Sequence, residues 1–221
     1  MKSLINILYE DDQFVVFDKP PGILVIPTPK KEKHTLNNLV NECFKEKTAQ
    51  WHLHPCHRLD RDTSGLIVFA KGKRSQRLMM DLFQKRTVQK KYIAFIHGKL
   101  SQSSGTLKGR IQDFEQRKYN RSRPAQMAIS HFKVVAVKKQ FSVIEVFPVT
   151  GRTNQIRIQF SQLEHPLVGE RKYAFARDFA LKFHRTALHA SGLHWNHPLS
   201  NREITVQSPL PNDMEVFLAK H

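Results

Sequence analysis

An α+β fold is predicted for this chain: a single domain over residues 1–221, with a mixed, mostly antiparallel central sheet flanked by helices. Three observations predict it. Short β-branched runs recur along the sequence, bounded by Gly, Pro, Asn or Asp. Fewer segments carry apolar residues at the 3.6-residue period of a helix, with a capping residue before them. No internal repeat, low-complexity tract or linker divides the chain.

The elements follow in order. Ile5 to Tyr9 and Phe14 to Phe17 are apolar runs separated by Glu10-Asp11-Asp12-Gln13, a hairpin signal. Asp18-Lys19-Pro20-Pro21-Gly22 is a turn in which two prolines fix φ. Ile23 to Ile26 is expected to resume as strand, and Pro27 to Lys33 forms a basic loop. Thr35 is placed to cap a helix with Leu36, Leu39, Val40, Cys43 and Phe44 on one face. Leu66 to Ala70, short and apolar throughout, reads as a buried strand. Ser75 is expected to cap a helix that turns Leu78, Met79, Leu82 and Phe83 inward. Lys73, Arg74 and Arg77 near its start oppose the helix dipole, which phosphate contact would explain. Tyr92 to His97 alternates as a strand with Tyr92, Ala94 and Ile96 on one face. Thr106 to Ile111, Ala125 to Val137 and Phe141 to Val149 read as further strands.

Residues 112 to 124 read as a basic loop, with Arg117, Lys118, Arg121 and Arg123 around Tyr119. Such a loop suits an RNA clamp and equally a solvated hairpin tip. After the turn at Thr150-Gly151 the period is ambiguous. Ile156, Phe160 and Leu163 fit a helix, whereas Ile156, Ile158 and Phe160 fit a strand. A helix capped by Thr153 and ended by His165-Pro166 is preferred. Leu188 to Trp195 and Ile204 to Gln207 read as late strands, and Asp213 to Lys220 as a closing helix.

Composition narrows the function. Hydrophobic residues make up 40% of the chain and glycines number only 9, the make-up of a packed globular protein. Lys and Arg number 36 against 19 Asp and Glu, a formal charge of +17. That excess is large for an enzyme of small metabolites and points to a polyanionic partner, nucleic acid before an acidic membrane surface. No apolar run approaches the roughly 20 residues of a spanning helix, and Met1 to Asn6 does not read as a signal peptide. Cys43 and Cys56 form no disulfide framework, which suits a cytoplasmic protein. His52, His54 and His57 with Cys56 lack a Cys-x-x-Cys pair and the spacing of structural zinc sites, so no metal is expected there.

The chemistry centres on His57-Arg58-Leu59-Asp60-Arg61-Asp62-Thr63-Ser64-Gly65-Leu66. Asp60 stands between two guanidinium groups on a loop that feeds a core strand. Neighbouring cations favour the charged form of a carboxylate, so Asp60 is expected to be ionised, fit to attack and poor as an acid. Alone, an Arg-Leu-Asp-Arg cluster would be an ordinary surface ion pair. The ten residues together resemble the active-site motif of the RluA-type family of RNA pseudouridine synthases, in which the Asp is catalytic.

Other segments resemble that family in the same order along the chain. Lys90-Lys91-Tyr92 is similar to its Lys-x-Tyr segment, whose Tyr packs on the target base. Thr150-Gly151-Arg152-Thr153-Asn154-Gln155-Ile156-Arg157 is similar to its Gly-Arg-Thr-His-Gln-Ile-Arg motif, whose last Arg pairs with the catalytic Asp. Asp18 to Gly22, His165-Pro166-Leu167-Val168-Gly169 and Leu188-His189-Ala190 also match family landmarks. Asn154 and Gln159 stand where the family usually has His, departures that bear on substrate fit more than on chemistry.

The resemblance implies the pseudouridine synthase fold, with a catalytic cleft across the sheet; the separate N-terminal RNA-binding module that some relatives carry is expected to have no room here. It implies isomerisation of uridine in structured ribosomal or transfer RNA by a monomer without cofactor or metal. Asp60, Tyr92 and Arg157 would be catalytic, and Arg58 would fill the space of the flipped base. His57, Arg61 and Arg152 would touch RNA. Two rivals stand beside this reading. A catalytically silent RNA-binding or ribosome-associated protein on the same fold has no need of Asp60, Tyr92 and Arg157 together. A glycosidase needs a second carboxylate as acid, and Asp62 is too close to Asp60 and flanked by Arg61.

Overall fold

A computed structural model describes residues 5–44, 52–112, 124–174 and 181–221. The chain groups into two units, Met1–Gln89 with His189–Pro211 and Lys90–Leu188 with Asn212–His221. The class is α+β, with mixed and mostly antiparallel strand pairing.

In the first unit the two opening apolar runs form the expected hairpin, β1 (Asn6–Glu10) against β2 (Phe14–Lys19). Asp11 closes it, accepting from the backbone amides of Gln13 and Phe14. Outward from β2 the order is β4 (Ser64–Lys71) and then β9 (Leu188–Asn196). β3 (Leu53–Pro55) pairs with β4, and β10 (Glu203–Gln207) with β9. β4 and β9 run parallel, with Ser64 opposite His189 and Gly65 opposite Ala190. Leu66, Ile67, Val68 and Phe69 are fully buried. A strand covered on both faces gains nothing from alternation, which is why this run is continuously apolar. Each such side chain contributes about 1.5–3 kcal/mol on burial.

Two helices pack in this unit. α1 (Leu36–Cys43) starts at Thr35, whose Oγ1 accepts from the Asn38 amide at 3.4 Å. Leu36 and Val40 are its buried residues, while Cys43 and Phe44 are half-buried. α2 (Lys73–Lys85) buries Met79 against Val68, Ala70 and Val88, with Leu82 and Phe83 partly covered.

The second unit is an antiparallel sheet in the order β5 (Gln89–His97), β8 (Phe141–Pro148), β7 (Gln126–Val137) and β6 (Ser104–Ile111). Its inner face gathers Ala94, Ile96, Phe132, Ile144 and Val146 under Ile156 and Phe160 of α3 (Gln155–Gln162). Tyr92, Ala94 and Ile96 share that face, as their alternation predicts. On the other face, Phe217 of α4 (Asn212–Lys220) meets Phe95 and Phe141 at the end of the sheet. Asp213 and Glu215 lie in the first turn of α4, where acidic groups complement the dipole. No helix of the described residues is long and apolar enough to cross a membrane.

Three local expectations are corrected. Ile23 to Ile26 is not a strand; it makes one isolated bridge, Leu24 to Thr35. Its carbonyls are used elsewhere: Leu24 accepts from the Leu36 amide and Val25 from the Asn37 amide, at 2.8 and 3.0 Å. They satisfy donors that the first turn of α1 leaves open. α2 begins at Lys73 rather than after Ser75, because Gly72 takes a φ of 90° that ends β4 sharply. α3 is a helix, as preferred, but its cap is Asn154 with a left-handed φ of 54°, not Thr153. The basic stretch within 112–124 lies mostly outside the described residues.

Gly65 has a φ of 106°, and a Cβ there would stand 2.2 Å from the Ala190 carbonyl oxygen. We expect Gly65→Ala to destabilise the protein by about 3–5 kcal/mol, through strain and a backbone clash together. Urea unfolding of the two proteins checks this; a loss below 1 kcal/mol would mean that β4 and β9 separate freely.

Candidate active site

Asp60 lies on a tight turn before β4, with Leu59 buried and Asp60 half-buried. The Thr63 amide donates to the Asp60 carbonyl at 3.2 Å, closing the turn. The Arg61 carbonyl accepts twice, from the Gly22 amide and from Lys19 Nζ, each at 2.9 Å. Lys19 is fully buried and also donates to the Pro20 carbonyl. The Pro20-Pro21-Gly22 turn is therefore the clamp of the Asp60 turn. On the far side, Ser64 Oγ meets His189 Nδ1 at 3.0 Å, both buried. This explains why Leu188-His189-Ala190 stands out in the sequence: His189 and Ala190 hold the start of β4.

Around this turn, Arg58 and Arg61 are exposed. Arg61 approaches Glu32 at 3.9 Å with its side chain 56% exposed, a pair of little energetic weight. His57 accepts from the Val68 amide through Nε2 at 3.0 Å and packs on Phe83. That bond fixes its neutral tautomer and anchors the entry to the turn. The His52 and His54 rings lie 5.0 Å apart. Cys56 is buried, which pushes its thiol pKa up and makes it a poor ligand or nucleophile. Among the described residues no cluster has the make-up of a metal site.

The second unit carries Tyr92 and Arg157. Tyr92 sits on β5 opposite Val146 and packs against the cluster that holds Ile156, the neighbour of Arg157. Lys90 Nζ donates to the Thr150 carbonyl at 3.4 Å, so the start of β5 lies beside the turn that launches α3. A buried polar chain fixes that turn. Thr150 Oγ1 and the Arg152 amide donate to Gln155 Oε1, at 2.7 and 3.0 Å. Gln155 Nε2 donates to Ser130 Oγ, which donates on to Gln159. Gln159 ends the chain at the Leu107 carbonyl. It is 4% exposed, so this departure from the family pattern is absorbed by the core of the unit and not by a substrate-facing surface. Arg152 spends its Nε–H on the Met127 carbonyl at 3.2 Å.

Arg157 is held on several sides. Its Nε and Nη2 donate to the two oxygens of Glu170 at 2.6 and 2.7 Å, the fork geometry that strengthens such pairs. Nη1 donates to Asn154 Oδ1 at 2.8 Å, and the guanidinium carbon lies 5.2 Å from the centre of the Tyr173 ring. Asn154 also donates to Tyr173 Oη at 3.0 Å. Asn154 at its unusual position thus orients the arginine and ties it to Tyr173. Sequence reasoning missed Glu170 and Tyr173. The signal is adjacent, in the landmark His165 to Gly169. His97 donates to the Pro166 carbonyl, Val168 to the Phe95 carbonyl, and Gly169 passes so close to Arg185 that a Cβ would stand 1.9 Å from its carbonyl oxygen. These contacts deliver Glu170 to Arg157.

Burial works to raise the pKa of Glu170, but the Arg157 hydrogen bonds and charge, with the Lys172 and Tyr173 amides, hold it below the ordinary glutamate range. A depressed carboxylate pKa adds stability above the unfolded value of about 4.3, and that stability is lost as pH falls through the folded value. We expect Glu170→Gln to be destabilised by about 3 kcal/mol at pH 7, since it leaves Arg157 partly buried without its counter-charge. The gap to the wild type should narrow below pH 4. Unfolding curves across that range check it; a gap constant with pH would remove the ion pair as its cause.

Residues 13–162 match the family model described as RNA pseudouridylate synthase. A Bacillus subtilis (strain 168) RNA pseudouridine synthase, YhcT, is 34% identical over 215 residues, 96% of this chain and 70% of the relative. Ribosomal large subunit pseudouridine synthase D of Buchnera aphidicola is 31% identical over 98% of this chain and 73% of its own length. tRNA pseudouridine synthase C of Haemophilus ducreyi is 28% identical, covering 96% and 94%. Among solved structures, human RNA Pseudouridylate Synthase Domain Containing 4 superposes with a TM-score of 0.78 at 25% identity, over 97% of this chain and 92% of the other. The match runs through the Asp60 turn, β5 and the launch of α3, and the chain belongs to the RNA pseudouridylate synthases, of the RluA type.

Proposed function

We propose that Asp60, Tyr92 and Arg157 carry the uridine isomerisation of this family, with the chain working as one catalytic domain. The reaction breaks the bond from ribose carbon 1′ to the base nitrogen, turns the base and rejoins it through carbon 5. The nitrogen gains a proton, carbon 5 releases one, and no electron or heavy atom is lost, so the chemistry calls for no cofactor. The Asp60 carboxylate attacks covalently or removes a ribose proton, either of which begins the break. Arg157, which the family resemblance pairs with that carboxylate, is proposed to orient it, with Glu170 holding the guanidinium in place. Tyr92 supplies a flat face for uracil and a hydroxyl able to take the carbon 5 proton, directly or through water. The observation that carries the reading is the clamped Asp60 turn in a chain of this family.

A uridine within a stem must leave its stack, at a cost of a few kcal/mol. Arg58 is proposed to fill the vacated space, since its guanidinium plane can stack on the neighbouring bases. Arg61 and Arg152 are proposed to take phosphates, and His57 to act through the position of the turn. Relatives named for the ribosomal large subunit and for tRNA support structured ribosomal or transfer RNA as substrate. We further propose that the chain works as a monomer in the cytoplasm, a compartment that the free thiols of Cys43 and Cys56 suit.

RNA labelled with tritium at carbon 5 of uracil tests this directly, because rejoining the base sends the label into water. Asp60→Asn should cut release by more than about a thousandfold. Equal release from the two proteins would remove Asp60 from the chemistry. Tyr92→Phe should keep RNA affinity within about threefold and slow turnover by about a hundredfold. Lost affinity with intact turnover of bound RNA would leave Tyr92 a platform only.

A further inference from the structure

The sheet of the second unit has two faces, and the second is covered at one end by Phe217 of α4. α3 and the face of Tyr92 form the inner side. The opposite side of β6, β7 and β8 is set by register. Arg110 pairs with Met127, Lys108 with Ile129, Thr106 with His131 and Ser104 with Lys133. On the next strand, His131 stands opposite Phe147 and Lys133 opposite Glu145. Paired residues share a face, and these alternate with the buried Ala128, Ser130 and Phe132. Lys108, Arg110, Met127, His131, Lys133 and Phe147 are all exposed.

Beyond the end that Phe217 covers, this face is exposed among the described residues, and its make-up is unusual for a surface with only water to meet. Met127 and Phe147 are 42% and 37% exposed. Among the described residues, Lys108, Arg110 and Lys133 have no carboxylate partner, and the one acid of the face, Glu145, is bonded to Lys91 at 2.5 Å. Thr106 and His131 bond each other at 2.8 Å and present a fixed ring beside Phe147. Unpaired cations spaced by about 7 Å along a strand, with rings between them, match a flexible polyanion with flat bases. The charge and the rings fit RNA better than an acidic protein, which would leave the rings unused.

We propose that this outer face is a second RNA-docking surface, which holds the flanks of a long RNA away from the catalytic residues; the reading rests on RNA being the substrate. It gives part of the +17 charge a definite place. Phosphates would meet Lys108, Arg110 and Lys133, and unpaired bases would rest on Phe147 and His131.

Equilibrium binding tests it without any turnover. The protein with Lys108→Gln, Arg110→Gln and Lys133→Gln is compared with the wild type on a long ribosomal transcript and on an isolated stem-loop, across a salt series. These side chains make no contact among the described residues that folding depends on. A second variant, with Lys108→Arg, Arg110→Lys and Lys133→Arg, separates charge from shape. On the long transcript the Gln variant should bind roughly tenfold more weakly, and its slope of log affinity against log salt should shrink by about 2 to 3. The charge-keeping variant should bind like the wild type. The ratio of affinities for long over short RNA should therefore fall roughly tenfold in the Gln variant. An equal loss on both RNAs, or no loss on either, overturns the proposal. Because binding alone is read, a protein that failed to isomerise uridine would defeat the proposed function and leave this result standing.

Discussion

One carbonyl oxygen, that of Arg61, takes a hydrogen bond from the Gly22 amide and another from the buried ammonium of Lys19. A lysine with no exposed surface must find acceptors, or the cost of removing its charge from water would expel it. A turn that carries a reactive carboxylate must be kept from fraying. Each requirement meets the other here. The two prolines restrict the Asp18 to Gly22 turn to the shape that delivers both donors. The Asp60 turn is consequently held from outside itself, through its backbone.

The second unit solves the matching problem with an ion pair in place of a lysine. Arg157 projects from a helix of eight residues, too short to be stable alone. The Gln155, Ser130 and Gln159 chain ties that helix to β7, and Glu170 fixes the guanidinium at its far end. Two close backbone approaches accompany these devices, at Gly65 against Ala190 and at Gly169 against Arg185. Much of what looks like a site motif in the sequence is thus packing that keeps the reactive groups at fixed positions.

Long elements with a clear period were legible from the sequence. β4 announced itself as an apolar run, and β5 by alternation that put Tyr92 with Ala94 and Ile96. The Asp60 segment is legible as chemistry through the resemblance of its ten residues to a family motif, since its charge cluster alone reads as an ordinary surface ion pair. Boundaries were harder. Ile23 to Ile26 has the composition of a strand, but its carbonyls serve the first turn of α1, a choice made by tertiary contact. Ser75 and Thr153 are good capping residues by type, yet glycine at 72 and a left-handed Asn154 decide where α2 and α3 begin. Glu170 was invisible for another reason. Its importance lies in a partner 13 positions away, and no local pattern encodes a pairing of that kind.

Among the described residues, β6 has β7 as its only neighbour, so one row of its backbone amides and carbonyls faces away from the sheet. An open row of this kind invites a strand from another molecule, the first step toward aggregation. Glycines at 105 and 109 lower the β-propensity of β6, and the long charged side chains of Lys108 and Arg110 crowd its rim with like charge. A second copy approaching edge to edge would bring the same cations against its own. Like charge along that rim thus opposes the pairing that the open row would otherwise invite.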